Sequence, residues 1–359
     1  MSMSHYTNEA IDLLASMIAT PSGSREENNV ATLIFDWMQK RELQPSRLKN
    51  NIFAWASKYD AGKPSVMLNS HIDTVRAGEG WTHDPHLPTI QQGKLFGLGS
   101  NDAGASVVSM LAAFRACAKE TLPYNLCMAI TAEEEISGTN GIELLLPQLP
   151  TFDFVIVGEP TEMKAALAER GLLVLDVEVQ GKTGHAARNE GENAIYKALK
   201  DIHWFETFAF PQSSELLGDL RMTVTEIHAG TQHNVVPDRC RFVVDIRLND
   251  TYTHEKVLAI INNNITGKAT PRSTRLKPSK LARNHGVRNY LQQLGIETFG
   301  SATMSDQALI AYPSMKMGPG RSERSHTPDE FIFLEEIQDG VERYVSFLNG
   351  LELSMLRLT

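Results

Sequence analysis

Cysteine is scarce: Cys117, Cys127 and Cys240 are the only three in 359 residues, and no two form a CxxC pair. An odd, widely spaced set argues against a disulfide framework and for a reducing compartment, where such residues act as small buried apolar side chains. Basic runs are missing too. With a formal net charge of −9, neither nucleic acid nor an anionic membrane is an expected partner. No stretch approaches the ~18 apolar residues of a membrane span. The first residues have no positively charged leader, and they place Ile11, Leu14 and Ile18 at helical spacing. At 42% hydrophobic and 21% charged residues the composition is that of a globular protein. Its length exceeds one ordinary core. These features predict an acidic, cytoplasmic protein of about two domains.

Helical periodicity covers 5–19 and 25–43, the second opened by Ser24 with Glu27 three residues on, the pattern of a capping box. Strands are predicted over 51–58, 64–69, 124–131 and 152–157, with helices near 103–119 and 142–146. Their alternation predicts an α/β domain whose mostly parallel mixed sheet is covered by helices on both faces. The pattern changes after Arg170. LLVLDVEVQ alternates apolar and polar residues as a half-exposed antiparallel strand does. A helix (193–207), two strands (222–230 and 240–248), a second helix (253–263) and a last strand within 270–277 complete a β-α-β-β-α-β, ferredoxin-like order. From 281 the first texture returns, ending in a helix with Leu334, Ile337, Val341, Tyr344 and Leu348 at helical spacing. The expected domains are therefore 1–170 with 278–359, and an inserted 171–277.

Polar residues gather where apolar strands end. His71 and Asp73 follow VMLNS, Glu133-Glu134-Glu135 follow LCMAITA, and Glu159 follows FVIVG. In an open parallel sheet, ligands collect at the carboxyl ends of the strands. Asp102 lies at the start of an apolar helix, where unpaired N–H groups favour an anion. His326 sits in a loop before the last helix. A histidine bound to a metal needs an acceptor behind its other ring nitrogen, a place Asp73 can take. Three contiguous carboxylates at a buried edge call for a cation. Taken singly, each motif also suits an ordinary core histidine, charged turn or surface ion pair.

Taken in order, HIDTV (71–75), SND (100–102), TAEEE (131–135), GEPT (158–161), GKTGHAA (181–187), GTQHNVVPD (230–238), DIR (245–247) and SHTPDE (325–330) make the chain resemble the M20 family of two-metal aminoacylases, peptidases and acetylornithine deacetylase-like amidohydrolases. The resemblance implies that His71 and Glu159 hold one metal, Glu135 and His326 the other, and that Asp102 bridges them. It implies Glu134 as general base, Asp73 as support for His71, and two Zn²⁺ ions, replaceable by Co²⁺ or Mn²⁺. It further implies a homodimer through the inserted domain, with His185 reaching the partner's site to stabilise an oxyanion. Arg247 would grip a substrate carboxylate and Asn234 would orient the substrate. Length and GEPT are most similar to acetylornithine deacetylase and succinyl-diaminopimelate desuccinylase. The implied reaction is thus hydrolysis of an N-acyl amino acid, foremost N-acetylornithine in arginine biosynthesis. Desuccinylation and dipeptidase or carboxypeptidase activity are the alternatives, and a non-catalytic binding protein on the same fold is a remote one. One run departs from the family: GLGSNDAGAS has Leu98 where an arginine is common and Ala103-Gly104 where Met-Lys is common. This leaves the subgroup, and with it the substrate, open.

Overall fold

The computed structural model describes residues 2–188 and 190–356. They fall into two compact units. One comprises Met1–Leu167, Lys280–Phe299 and Ser305–Thr359; the other comprises Ala168–Ser279 and Gly300–Met304. The short 300–304 segment, placed by the sequence with the first domain, groups with the second. Gly300 lies so close to the Leu216 backbone that no side chain fits between them.

The largest sheet runs Ser46–Leu48, Asn51–Trp55, Asn125–Thr131, Ser65–His71, Phe154–Val157, Ser314–Lys316, Ala165–Glu169, Ser279–Lys280. Its centre, from Asn125–Thr131 to Ser314–Lys316, is parallel, and antiparallel strands flank it. Every residue of Ser65–His71, Asn125–Thr131 and Phe154–Val157 is buried, as expected of strands covered on both faces. On one face Met67, Cys127, Ala129, Val155 and Val157 cluster with Ile142 and Leu145. Helix Ala105–Cys117 packs on the strands and against helices Met3–Ile18 and Leu334–Asn349. Ile337, Val341, Tyr344 and Leu348 of the last helix are fully buried, as their spacing predicts. Among the described residues no helix is long and apolar enough to cross a membrane.

The second unit is an antiparallel sheet ordered Arg221–Ala229, Arg239–Leu248, Gly171–Gln180, Lys268–Pro271, with helices Ala194–Thr207 and His254–Asn264. This is the ferredoxin-like arrangement the sequence predicts. Alternate residues Leu173, Leu175, Val177 and Val179 form its core with Phe242, Val244, Ile246 and Leu248. Its last strand comes earlier than the expected 270–277. The Asp201 carboxylate accepts the N–H groups of Thr266 (3.0 Å) and Gly267 (2.8 Å), and this turns the chain into the sheet at Lys268.

All three cysteines are buried and unpaired. Burial raises the thiol pKa of each, that of Cys117 to about 12.

Candidate metal centre

The parallel register brings the strand ends together. His71 closes its strand opposite Thr131, and the chain beyond Thr131 turns at once. Glu133 takes a positive φ of 58°, and the N–H of Gly138 bonds back to its carbonyl at 2.8 Å. That turn points Glu134 and Glu135 at His71. The next strand delivers Glu159 two residues past Val157. His71 Nε2 lies 3.3 Å from Asp102 Oδ1, 3.8 Å from Glu134 Oε2 and 3.8 Å from Glu159 Oε1. His326 Nε2 lies 3.0 Å from Glu135 Oε2 and 3.6 Å from Asp102 Oδ2. Asp102 therefore offers one oxygen to each imidazole, the placement a bridging carboxylate needs. Two groups can present donor atoms within 4.8 Å of one another: His71 with Glu134 and Glu159, and His71 with Asp102 and Glu135. The third glutamate of the run is turned away: Glu133 accepts from the Asn140 side chain (2.8 Å) and backbone N–H (3.2 Å).

The residues behind the ligands do more than the sequence suggested. Asp73 is fully buried and does not simply back the imidazole. His71 Nδ1 is nearer the Asp73 carbonyl (3.0 Å) than its carboxylate (3.4 Å). The carboxylate instead collects the N–H of Glu134 (3.0 Å), the N–H of Glu135 (3.1 Å) and the hydroxyl of Ser24 (2.7 Å). It is the hub that fixes the loop carrying both glutamates. Burial opposes its ionisation, yet these bonds and His71 hold its carboxyl below the usual range.

Ser24 is thus no helix cap. The helix expected over 25–43 runs Asn28–Gln39 without a side-chain cap. Glu27, read as the other half of the box, accepts from the N–H of Arg25 (2.6 Å) and from Asn50 (2.8 Å). Tertiary acceptors outcompeted the local cap.

Asp102 also departs from its expected place. The regular helix begins at Ala105, and Asp102 adopts φ −118°, ψ 103° in a wide turn before it. Its N–H, with those of Gly99 and Asn101, is taken by the buried carboxylate of Glu330 at 2.8–2.9 Å. Burial raises the pKa of Glu330 to about 7. Glu330, quoted in SHTPDE but given no role, is therefore what fixes the backbone at Asp102. Asp306, absent from any motif, accepts the Thr131 hydroxyl at 2.7 Å, and burial raises its pKa to about 6. No local pattern could have marked either residue.

His185, Asn234 and Arg247 belong to the second unit. His185 is exposed on a short ribbon, Gly184–His185 paired with Val235–Val236. Its Nδ1 accepts the N–H of Ala187 (3.2 Å), and the N–H of Ala186 donates to the Asn234 carbonyl (3.1 Å). Arg247 is engaged by its neighbour: Nε and Nη2 donate to the two carboxylate oxygens of Asp245 at 2.8 and 3.0 Å.

The electrostatics fit a bound cation. Burial raises the pKa of Glu134 well above the ordinary range, and Glu159, Asp306 and Glu135 push it the same way. Burial acts to lower that of His71, but Glu134, Asp102, Asp73 and Glu159 lift it well above normal. The His326 pKa, raised chiefly by its hydrogen bond to Glu135, stands at about 9. Protons on the imidazoles thus offset acid charge that divalent ions would otherwise neutralise.

A pH dependence follows. The folded pKa of His326 exceeds the ordinary 6.5, so its stabilising contribution is present below about pH 6.5 and lost as pH rises through about 9. The metal-stripped protein should therefore lose thermal stability between about pH 6.5 and 9.5. Added Zn²⁺ should restore it and release protons, measured by calorimetry in buffers of different ionisation enthalpy. A stripped protein whose midpoint climbs over that interval would contradict the assignment.

The profile of peptidase family M20/M25/M40 matches residues 67–350. The chain belongs to this family, and its class is hydrolase. Among solved structures, its fold is similar to that of aminopeptidase PepT from Bacillus cereus (TM-score 0.76, 19% identity, 99% of each chain covered). It is likewise similar to an M20 family metallo-carboxypeptidase from Sulfolobus solfataricus (TM-score 0.72, 17% identity, 95% of this chain and 98% of that one). A third is a dinuclear metal binding peptidase of the M20 family from Bacillus subtilis (TM-score 0.72, 15% identity, 97% and 100%). At these identities the likeness bears on the fold.

Proposed function

We propose that the protein is a metal-dependent amidohydrolase that cleaves the amide bond of an N-acyl amino acid, with N-acetylornithine as the leading substrate. The observation that carries this reading is Asp102 facing His71 and His326 with separate oxygens while the Glu134 carboxylate stands among the same groups. His71 and Glu159 would hold one cation, Glu135 and His326 the other, and Asp102 both. Imidazole and carboxylate donors without thiolate suit Zn²⁺, with Co²⁺ or Mn²⁺ as substitutes. When bound, such a pair polarises an amide carbonyl and makes a water acidic enough to attack near neutral pH. Glu134 takes the proton at its carboxylate and passes it to the nitrogen of the departing amine. Burial pushes the Glu134 carboxyl upward, the direction that favours accepting a proton.

The second unit completes this reading. It would mediate a homodimer in which His185, exposed on its ribbon, donates to the oxyanion in the partner's site. Asn234 would orient the substrate, and Arg247 would exchange Asp245 for a substrate carboxylate. Three buried, unpaired thiols support a cytoplasmic setting. A second reading, dipeptidase or carboxypeptidase, draws on the peptidases among the similar structures. An amine-release assay of the zinc-loaded protein decides between them, using acetylornithine, succinylornithine, succinyl-diaminopimelate and a dipeptide panel. Acetylornithine should be turned over fastest. Preferred cleavage of dipeptides would favour the second reading, and release from none would remove both.

A further inference from the structure

Two loops meet beside Glu135. Gly23 and Thr74 pair as an isolated parallel bridge, and the N–H of Thr74 donates to the Ser22 carbonyl at 3.0 Å. The Ser24 hydroxyl is bound to Asp73. The loop that places the metal ligands is therefore tied directly to residues 21–26. Arg25 sits at φ 75° with its backbone N–H on Glu27, a conformation that costs energy for a side chain other than glycine and is fixed by its surroundings. An open cavity of about 490 Å³ lies at these loops, and Arg25, Arg76, His86, Glu135 and Ile136 are among the residues that line it. Val75 adds an apolar wall.

Acids outnumber bases by 43 to 34, and many arginines find carboxylates, among them Arg247 with Asp245, Arg272 with Asp176 and Arg324 with Glu336. Among the described residues, the guanidiniums of Arg25 and Arg76 form no ion pair and no hydrogen bond. The carboxylates lining the same cavity are Glu135, already paired with His326, and Glu26. Both arginines are exposed and line a cavity that Glu135 also lines; an unengaged guanidinium is suited to a carboxylate, which it meets with two parallel hydrogen bonds.

We propose that this cavity is a substrate subsite that receives a carboxylate between Arg25 and Arg76. The inference rests on the amidohydrolase reading and refines its substrate class: one end of the amide substrate is an anion held at this cavity. The carboxylate comes either from a dicarboxylic acyl chain, as in a succinyl group, or from the amino-acid side of the scissile bond. A four-carbon diacid fits the space, and Val75 and Ile136 would cover its methylenes.

The test compares the zinc-loaded full-length protein with Arg25→Gln, Arg76→Gln, the double variant and Arg76→Lys. Substrates are an N-acetyl and an N-succinyl derivative of one amino acid, each also as its carboxamide. Succinate binding to the zinc-loaded proteins is measured by calorimetry alongside. In the double variant the succinyl-to-acetyl ratio of kcat/KM should fall about 10–100-fold, the effect of losing hydrogen bonds to a charged group. KM should carry most of the change, Arg76→Lys should recover part of it, and succinate should bind more weakly by a similar factor. A fall in the carboxylate-to-carboxamide ratio instead would place the same anion on the amine side. If neither ratio moves by more than about twofold and succinate binds all forms alike, the subsite is wrong. Should the wild type release amine from no substrate, the hydrolase reading fails on its own, and the succinate calorimetry still decides whether the cavity holds a carboxylate.

Discussion

Glu134→Gln should retain about two metal ions per subunit while kcat falls by about 10²–10⁴-fold, the usual contribution of a positioned general base. Glutamine keeps the size and the hydrogen-bonding oxygen but cannot accept a proton. The ligands proposed for the metals, His71, Asp102, Glu135, Glu159 and His326, are untouched. Metal content by elemental analysis and kcat from amine release check the two halves separately. Near-normal turnover would take the proton-transfer role from Glu134. Loss of metal together with activity would instead make it a ligand, a role its 3.8 Å separation from His71 Nε2 also allows. Mixing this variant with His185→Ala tests the dimer. If His185 serves the partner's site, hybrids carry one site with both residues intact, and some activity returns. No return after demonstrated subunit exchange would confine each site to one chain.

Asp73→Asn should have the second large effect, although Asp73 is not assigned as a ligand. Its carboxylate accepts two backbone N–H groups and a hydroxyl while facing His71. An amide at that position turns an NH₂ group toward donors, leaving buried N–H groups unpaired at about 1–3 kcal/mol each. The loop bearing Glu134 and Glu135 loses its anchor, and His71 loses part of its orientation. We expect metal affinity to drop by at least about 10–100-fold and the thermal midpoint to fall. Ser24→Ala, which removes one of those bonds, should cost about 1 kcal/mol and leave metal affinity close to normal. Equal metal affinities in wild type and Asp73→Asn would show that the hub is structural alone.

The contrast between these residues shows how far sequence reading reaches. The apolar runs ending in His71, Glu133–Glu135 and Glu159 announced three strands and a shared edge, because a buried strand must be apolar along its length and can bear polar groups only where it emerges. The alternation in Leu172–Gln180 likewise marked a strand with one covered face. Ser24 and Glu27 show the opposite case. Their spacing satisfied a local rule for a helix start, yet Ser24 bonds to a residue 49 positions away and Glu27 to Asn50. Glu330 holds the N–H of Asp102 across 228 positions, and Arg25 and Arg76 line one cavity at two loops bridged at Gly23 and Thr74.

Periodicity was enough to define the α/β architecture and the ferredoxin-like second unit, since these depend on neighbours a few residues apart. Strand-end chemistry marked His71, the 133–135 glutamates and Glu159, and the full set of ligand candidates came from the resemblance to the M20 family. The carboxylate that organises the glutamate loop and the one that fixes the Asp102 backbone were decided by folding alone. Which buried acceptor wins a given donor depends on the three-dimensional competition among groups brought together from distant stretches, and no local spacing encodes that outcome.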